Sequence, residues 1–396
     1  MSKIDRIILH VDVNNAFLSW MAVDLLNSGS KEDIREEISV IGGDEKSRSG
    51  VVLAKSVKAK EIGIKTGDTI YEARSKCPQL IIKETDKCCY EKYSQGLIKI
   101  LMEYSDKVEK YSIDECFVDI TYCLMGRSVD DITKEIQVRI KKELGFTVNI
   151  GISDCKVLAK MASDFTKPNK IHTLYKDEIP YKMWSLPVSE LFMVGKRSLP
   201  KLLNMQIITI GDLANRSRED IMCLFGKHGK MIWEYANGID VSDVIENREK
   251  NKSISKEVTL DKDITDIDEL EKRMYALVES VTVLLRESKM SAKTVSVHLR
   301  SFNFADTLRQ RKLEYSTCST KEIYELAKKI LKDLHDIRIP VRLIGVRVDD
   351  LEEAKSQEQL SLFDDVKNQK QSHIDEVMDK IKEKYGEKII TRAKRI

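Results

Sequence analysis

Residues 111–121, YSIDECFVDIT, constrain the fold more than any other stretch of the chain. Val108, Tyr111 and Ile113, then Cys116, Val118 and Ile120, alternate with more polar neighbours, which is the period of two short strands. The acidic pair Asp114-Glu115 falls where those strands meet. Adjacent carboxylates repel, and a chain relieves the repulsion with water, a basic partner or a bound divalent cation. Acidic residues also favour a plain solvated turn, so on these residues alone a turn and a cation site both stand.

Residues 6–17, RIILHVDVNNAF, bear on that choice. Ile7, Ile8, Leu9 and Val11 form an apolar run that ends on Asp12. An acid at the end of a buried strand needs something to pair with. Laid beside the hairpin, this strand would bring Asp12 to Asp114 and Glu115. Three carboxylates so arranged are a ligand set for two magnesium ions, which take hard oxygen ligands and keep positions open for phosphate.

Four motifs stand in the order and spacing of one family: HVDVNNAF at 10–17, YSIDE at 111–115, DFTKPN at 164–169 and a Gly195-Lys196 hairpin. Over essentially its whole length the chain resembles a bacterial, UmuC-like member of the Y-family, the translesion DNA polymerases. The resemblance implies an α+β, multidomain right-hand polymerase fold. Its parts would be a palm (1–20 and 79–166), small fingers (21–78), a helical thumb with a helix-hairpin-helix (167–240), a linker (241–252), a C-terminal four-stranded little-finger domain (253–350) and a tail (351–396). It implies template-directed, low-fidelity DNA synthesis across damaged bases, adding deoxynucleotides to a primer 3'-end by two-metal catalysis without proofreading. Asp12, Asp114 and Glu115 would be catalytic and would hold two Mg2+ ions, with the backbone carbonyl of Val13 as a further ligand. Phe17, which its own pattern allows as ordinary core, would be the steric gate under the nucleotide sugar.

Lys60 and Lys167 would hold the incoming triphosphate. The family typically sets a Tyr in the fingers and an Arg three residues later, where this chain has Val57 and Lys60. Lysine neutralises phosphate but lacks the planar two-pronged donor of arginine. Lys170 replaces the Gly that usually follows Asn169. At 195–197 the Gly195-Lys196-Arg197 turn would offer backbone N–H groups and charge to DNA phosphate without reading sequence.

Helical spacing marks 15–27, 90–104, 130–143 and 156–165, interleaved with strands at 37–42, 80–82 and 147–152. Gly42-Gly43-Asp44-Glu45 invites comparison with the GGDE motif of diguanylate cyclases, but a charged loop follows it and it reads as a turn. Beyond 253 the order is strand, helix, strand, strand, helix, strand, a four-stranded sheet with both helices on one face. Val295, Val297 and Leu299 should face the helices, leaving Thr294, Ser296, His298 and Arg300 on an open side suited to a DNA groove.

The net charge of +2 conceals segregation: residues 191–233 carry seven basic side chains against three acidic ones. Such a patch suits phosphate backbone, while the acidic centre suits cations. The eight cysteines include no C-x-x-C pair, and no apolar run nears the roughly 20 residues that span a bilayer. A cytoplasmic monomer with reduced thiols and no membrane association is expected. Its partners would be primer-template DNA, deoxynucleoside triphosphates and, through Gln359, Leu360, Leu362 and Phe363 in the tail, the bacterial sliding clamp, whose binding peptide reads Q-L-x-L-F.

Overall fold

The computed structural model describes residues 6–43, 50–245, 252–353, 374, 377–381 and 384–386. Contacts divide the chain into two compact units, Met1–Glu45 with Gly50–Arg248 and Lys46–Ser49 with Glu249–Ile396. The tail peptide at 359–363, Asp44 and Glu45 of GGDE, and residues 246–251 of the expected linker lie outside the described residues.

The first unit opens with β1 (Ile8–Val13), α1 (Ala16–Asn27), β2 (Ser39–Gly42), β3 (Val52–Lys55), α2 (Val57–Glu61), α3 (Ile70–Lys76) and β4 (Ile81–Glu84). It continues through α4 (Lys87–Met102), β5 (Val108–Lys110), β6 (Glu115–Asp119), α5 (Val129–Arg139), β7 (Val148–Ser153), α6 (Lys156–Ser163) and β8 (Ile171–Thr173). Short helices follow: α7 (Ile179–Lys182), α8 (Leu199–Asn204), α9 (Ile210–Ala214), α10 (Arg218–Phe225) and α11 (Lys227–Ala236).

Five strands form one sheet in the order β5-β6-β1-β7-β8, with β1 at its centre and antiparallel to both neighbours. All six residues of β1 are buried, as a central strand covered on both faces requires. Alternation then sorts them. Leu9, Val11 and Val13 enter a core with Trp20 of α1, Leu97 of α4 and Ile136 of α5. Ile8, His10 and Asp12 point the other way, where α6 packs across β1 and β7. The acid therefore faces a helix, not solvent.

A smaller sheet, β3-β2-β4, has its own core of Val40, Val52, Ile64, Ile70 and Leu80. Here the expected boundary moves. Ile81–Glu84 pairs in parallel with β2 in this sheet instead of joining the five-stranded one from residue 79. Likewise α1 packs into the large core through Ala22 and Val23, past the boundary expected at 20. The helices after residue 179 pack around Leu202, Ile210, Leu213 and Ile232 and against Leu158 of α6. Residues 241–245 are no free linker: Val244 is buried with Ile8, Phe117 and Ala159, and the N–H of Ile245 donates to Glu109 at 3.2 Å.

The second unit runs β9 (Ser253–Ile264), α12 (Ile267–Glu287), β10 (Met290–Ser301), β11 (Asp306–Thr317), α13 (Thr320–Leu334) and β12 (Val341–Glu353). Its antiparallel sheet has the order β11-β10-β12-β9. Val295, Val297 and Leu299 are buried with residues of α12 and α13, as expected. Thr294 and Ser296 are not open: each is only 2% exposed. The long side chains of Gln310 and Arg347 flank Ser296 on the adjoining strands, and Thr294 donates to Asp350 at 2.6 Å. Among the described residues no helix is long and apolar enough to cross a membrane.

Candidate active site

The register of β1 against β6 sets Asp12 directly opposite Glu115. Side chains so placed on one face of an antiparallel pair stand about 5 Å apart at Cβ. The N–H of Val13 donates to the Asp114 carbonyl at 3.1 Å, closing the end of the ladder. The N–H groups of Tyr111 and Ser112 both donate to the Glu115 carbonyl, at 3.0 and 3.1 Å, so the β5–β6 turn is tight. The acid of the first strand and the acidic pair of the hairpin are thus brought together. Asp12 is 5% exposed, while Asp114 turns toward Ser112, whose hydroxyl donates to it at 2.6 Å.

Two lysines answer the buried carboxylates. Lys160 Nζ, on α6, lies 2.8 Å from Glu115, 3.0 Å from Asp164 and 3.5 Å from Asp12. Lys167 Nζ lies 2.8 Å from Asp12 and 2.9 Å from Asp164. Burial opposes ionisation of Glu115, yet the His10 ring and the Lys160 ammonium reverse this and take the carboxyl down to about 2. Burial holds the Asp12 carboxyl above its ordinary value in spite of Lys167 and Lys160. Burial would lower Lys160 as well, but its hydrogen bond to Glu115 and the charges of Asp164, Glu115 and Asp12 outweigh it and hold the ammonium up. His10 is depressed, chiefly by burial. Its Nδ1 lies 2.7 Å from the Ser163 hydroxyl and its Nε2 3.8 Å from Glu115.

The segment that carries Lys167 is fixed by a pair of buried amides. Asn14 Nδ2 donates to Asn149 Oδ1 at 3.1 Å, and Asn14 Oδ1 accepts from the N–H of Asn169 at 2.8 Å. Asn149 Nδ2 donates to the carbonyls of Ser163 and Thr166, and its Oδ1 accepts from the N–H of Lys170. Between them the two amides hold backbone groups of Ser163, Thr166, Asn169 and Lys170. The loop is consequently tied to residues on either side of Asp12: Asn14 lies just past the end of β1, and Asn149 is the partner of Asp12 in β7.

Phe17 is half-buried in the first turn of α1 and packs on Tyr90 at 4.8 Å between ring centroids. Asn15, in the left-handed region at φ 51, precedes that helix, and its side chain donates to the carbonyl of Lys55 at 2.9 Å, tying β3 to the start of α1. Lys60 is exposed on α2, whose Ala59 packs into the core of the smaller sheet. Gly195, Lys196 and Arg197 are exposed, and a Cβ on Gly195 would meet nothing. The positive φ of that turn belongs to Met193, at 73°. Gly195 thus needs its missing side chain neither for its backbone angles nor for internal packing, which leaves room for another molecule's backbone.

As the side chains stand, no three His, Cys, Asp or Glu groups among the described residues converge to hold a metal ion. Lys160 and Lys167 occupy Asp12 and Glu115 instead. The donor set nonetheless suits a hard divalent cation: three carboxylates from neighbouring strands, all oxygen, with the backbone held and only side-chain rotations between them. His10, Asn149, Lys160 and Asp164 carry no role in the sequence reading. Lys160 is marked only in the structure: every residue of α6 from Val157 to Ser163 is buried, and a lysine so enclosed needs an anionic partner.

Comparison with known proteins agrees on the kind of chain this is. The impB/mucB/samB family model matches residues 11–164, and the impB/mucB/samB family C-terminal domain matches 251–362. The chain is 46% identical over 388 residues to DNA polymerase IV of Clostridium acetobutylicum, covering 98% of each, and 37% identical over 385 residues to DNA polymerase IV of Acetivibrio thermocellus, covering 96% of this chain and 95% of the relative. Among solved structures a Y-family DNA polymerase chimera shares the fold, with a TM-score of 0.76 at 22% identity over 87% of this chain and 98% of the other. An insertion ternary complex of Dbh DNA polymerase aligns over the same shares with a TM-score of 0.58.

Proposed function

The chain belongs to the Y-family DNA polymerases, the impB/mucB/samB family, and from that membership we propose that it is a DNA-directed DNA polymerase that copies damaged template with low fidelity and without proofreading. The observation that carries the reading is the strand register that sets Asp12 opposite Glu115 with Asp114 adjoining. Asp12, Asp114, Glu115 and the Val13 carbonyl would hold two divalent cations, with magnesium the expected ion. Bound there, they supply Lewis-acid activation of the primer hydroxyl and neutralise charge developing on the α-phosphate. The protein itself contributes position and field. Lys167, held beside Asp12 by the Asn14–Asn149 pair, and Lys60 on α2 would draw in the triphosphate. Phe17 would exclude a 2'-hydroxyl from the space beside α1. Gly195, Lys196 and Arg197 would take DNA phosphate at an uncrowded turn. We assign the domains accordingly: palm on the five-stranded sheet, fingers on β2, β3 and β4, thumb on α7 to α11, and little finger on the second unit. The expected working form is a cytoplasmic monomer that meets the sliding clamp through Gln359, Leu360, Leu362 and Phe363.

Primer extension with magnesium, offering one and then four deoxynucleotides on intact and abasic templates, tests this. The parent should extend past the abasic site. Asp114→Ala should lose more than about 100-fold of the extension rate, since even residues supporting a metal ligand cost up to that much. Equal extension by parent and variant would remove the carboxylates from the chemistry.

A further inference from the structure

Lys160 has no part in the reaction outlined above, yet it is nearly as enclosed as Asp12. It is 7% exposed and rises from the middle of α6, whose residues 157–163 are all buried. An ammonium has three donors, and here three carboxylates surround it: Glu115 from β6 at 2.8 Å, Asp164 from the end of α6 at 3.0 Å and Asp12 from β1 at 3.5 Å. Two of those three are the acids assigned above to the cations. A compact point charge that bridges several anions does electrostatically what a divalent ion would do in the same place. While it sits there, the carboxylates are drawn to it and do not close on one another.

We propose that Lys160 is a built-in counter-cation, standing between Glu115, Asp12 and Asp164 in the metal-free chain, which an entering divalent ion must displace. The proposal rests on the reading of Asp12, Asp114 and Glu115 as the cation site. Its physical basis is competition: without the ammonium, buried Asp12 and partly buried Glu115 face each other across one rung of the ladder as like charges, which is unfavourable. With it, the protein is stable when empty, and part of the binding free energy of the metal is spent on moving the lysine. Lys160 is therefore a positioning residue that sets how readily the centre fills. Lys167, its neighbour on Asp12, is exposed to water and so is displaced at less cost.

The test is Mn2+ titration of the full chain by calorimetry, paired with thermal melting in chelator and in Mn2+. Lys160→Met, which keeps the stem and removes the charge, should melt lower than the parent in chelator and bind Mn2+ roughly 10- to 100-fold more tightly. Mn2+ should then raise its melting temperature by more than it raises the parent's. An unchanged affinity and an equal rise in both chains overturn the counter-cation role, while loss of Mn2+ binding in Asp12→Asn keeps the cation site itself. Binding to the parent that Asp12→Asn leaves intact overturns both. If Lys160→Met does not fold in chelator, folding on addition of Mn2+ supports the proposal. So does folding of the neutral double variant Lys160→Met with Glu115→Gln, and failure of that double variant to fold overturns it by making the stem's packing the cause.

Discussion

Replacing Gly151 with alanine should unfold the geometry of the site from behind. Gly151 lies in β7 opposite His10, where the backbone of α6 comes closest to the sheet. A Cβ added there would stand 1.9 Å from the Ala159 carbonyl oxygen and 2.5 Å from the Ser163 nitrogen, where 3.0 Å is the practical floor. Both obstacles are helix backbone, so no side chain can turn aside, and α6 must retreat by about 1 Å. Overpacking costs roughly 1–3 kcal/mol, and backbone meeting backbone belongs at the top of that range, about 3 kcal/mol. In a unit of this size each kcal/mol lowers the melting temperature by about 2–4 °C, so a drop of about 6–12 °C is expected. The same retreat shifts the end of α6, taking Ser163 from His10 and moving the loop that carries Lys167 to Asp12. A misplacement of about 1 Å costs on the order of 100-fold in rate. Circular-dichroism melts and single-turnover primer extension measure both effects. A Gly151→Ala chain that melts with the parent and extends at the parental rate would mean that α6 does not lie against β7 as described.

Three further outcomes are expected. Phe17→Ala should raise ribonucleotide insertion relative to deoxynucleotide by roughly 10- to 200-fold, the worth of one misfit group in a pocket; an unaltered ratio in steady-state insertion assays removes Phe17 from sugar selection. The Glu115 carboxyl falls from 4.5 to about 2 on folding, so it contributes stability above pH 4.5 that is lost as pH drops toward 2. Glu115→Gln should therefore show a shallower fall in denaturation midpoint across that window than the parent, and parallel profiles would contradict the ion pair. Leu362→Ala with Phe363→Ala should cut capture by immobilised sliding clamp to background in a pull-down, and undiminished capture would count against the tail peptide.

Much of this was legible because period and burial coincide. The apolar run at 7–11 and the alternation at 116–120 give β1 and β6, and the helical spacing at 90–104 gives α4 at Lys87–Met102. The meeting of Asp12 with Asp114 and Glu115 was inferable because a buried strand ending in an acid needs company, and β6 supplies it. What the sequence hid was long-range. Local pattern does not say which sheet a short strand such as Ile81–Glu84 will join, since pairing with β2 is decided by chain segments some forty residues away. Nor does period-2 alternation report that Thr294 and Ser296, small and central in a sheet, are roofed by longer neighbours on β11 and β12. Residues 241–245 read as linker for want of an apolar period, yet Val244 packs with Ile8 and Phe117 while the Ile245 N–H bonds Glu109. Lys160 was overlooked because a lysine spaced among apolar residues resembles a solvated position until β1, β6 and α6 converge on it.

The most direct test of the central claim, that the acid of the first strand and the pair at the hairpin hold cations in common, is electron paramagnetic resonance of Mn2+ in the chain bound to primer-template and a non-hydrolysable deoxynucleotide. The account predicts two spin-coupled Mn2+ ions per parent chain and loss of the coupled signal in Asp12→Asn and in Asp114→Asn alike. A coupled signal that survives Asp12→Asn undiminished, or its absence from the parent, would contradict it.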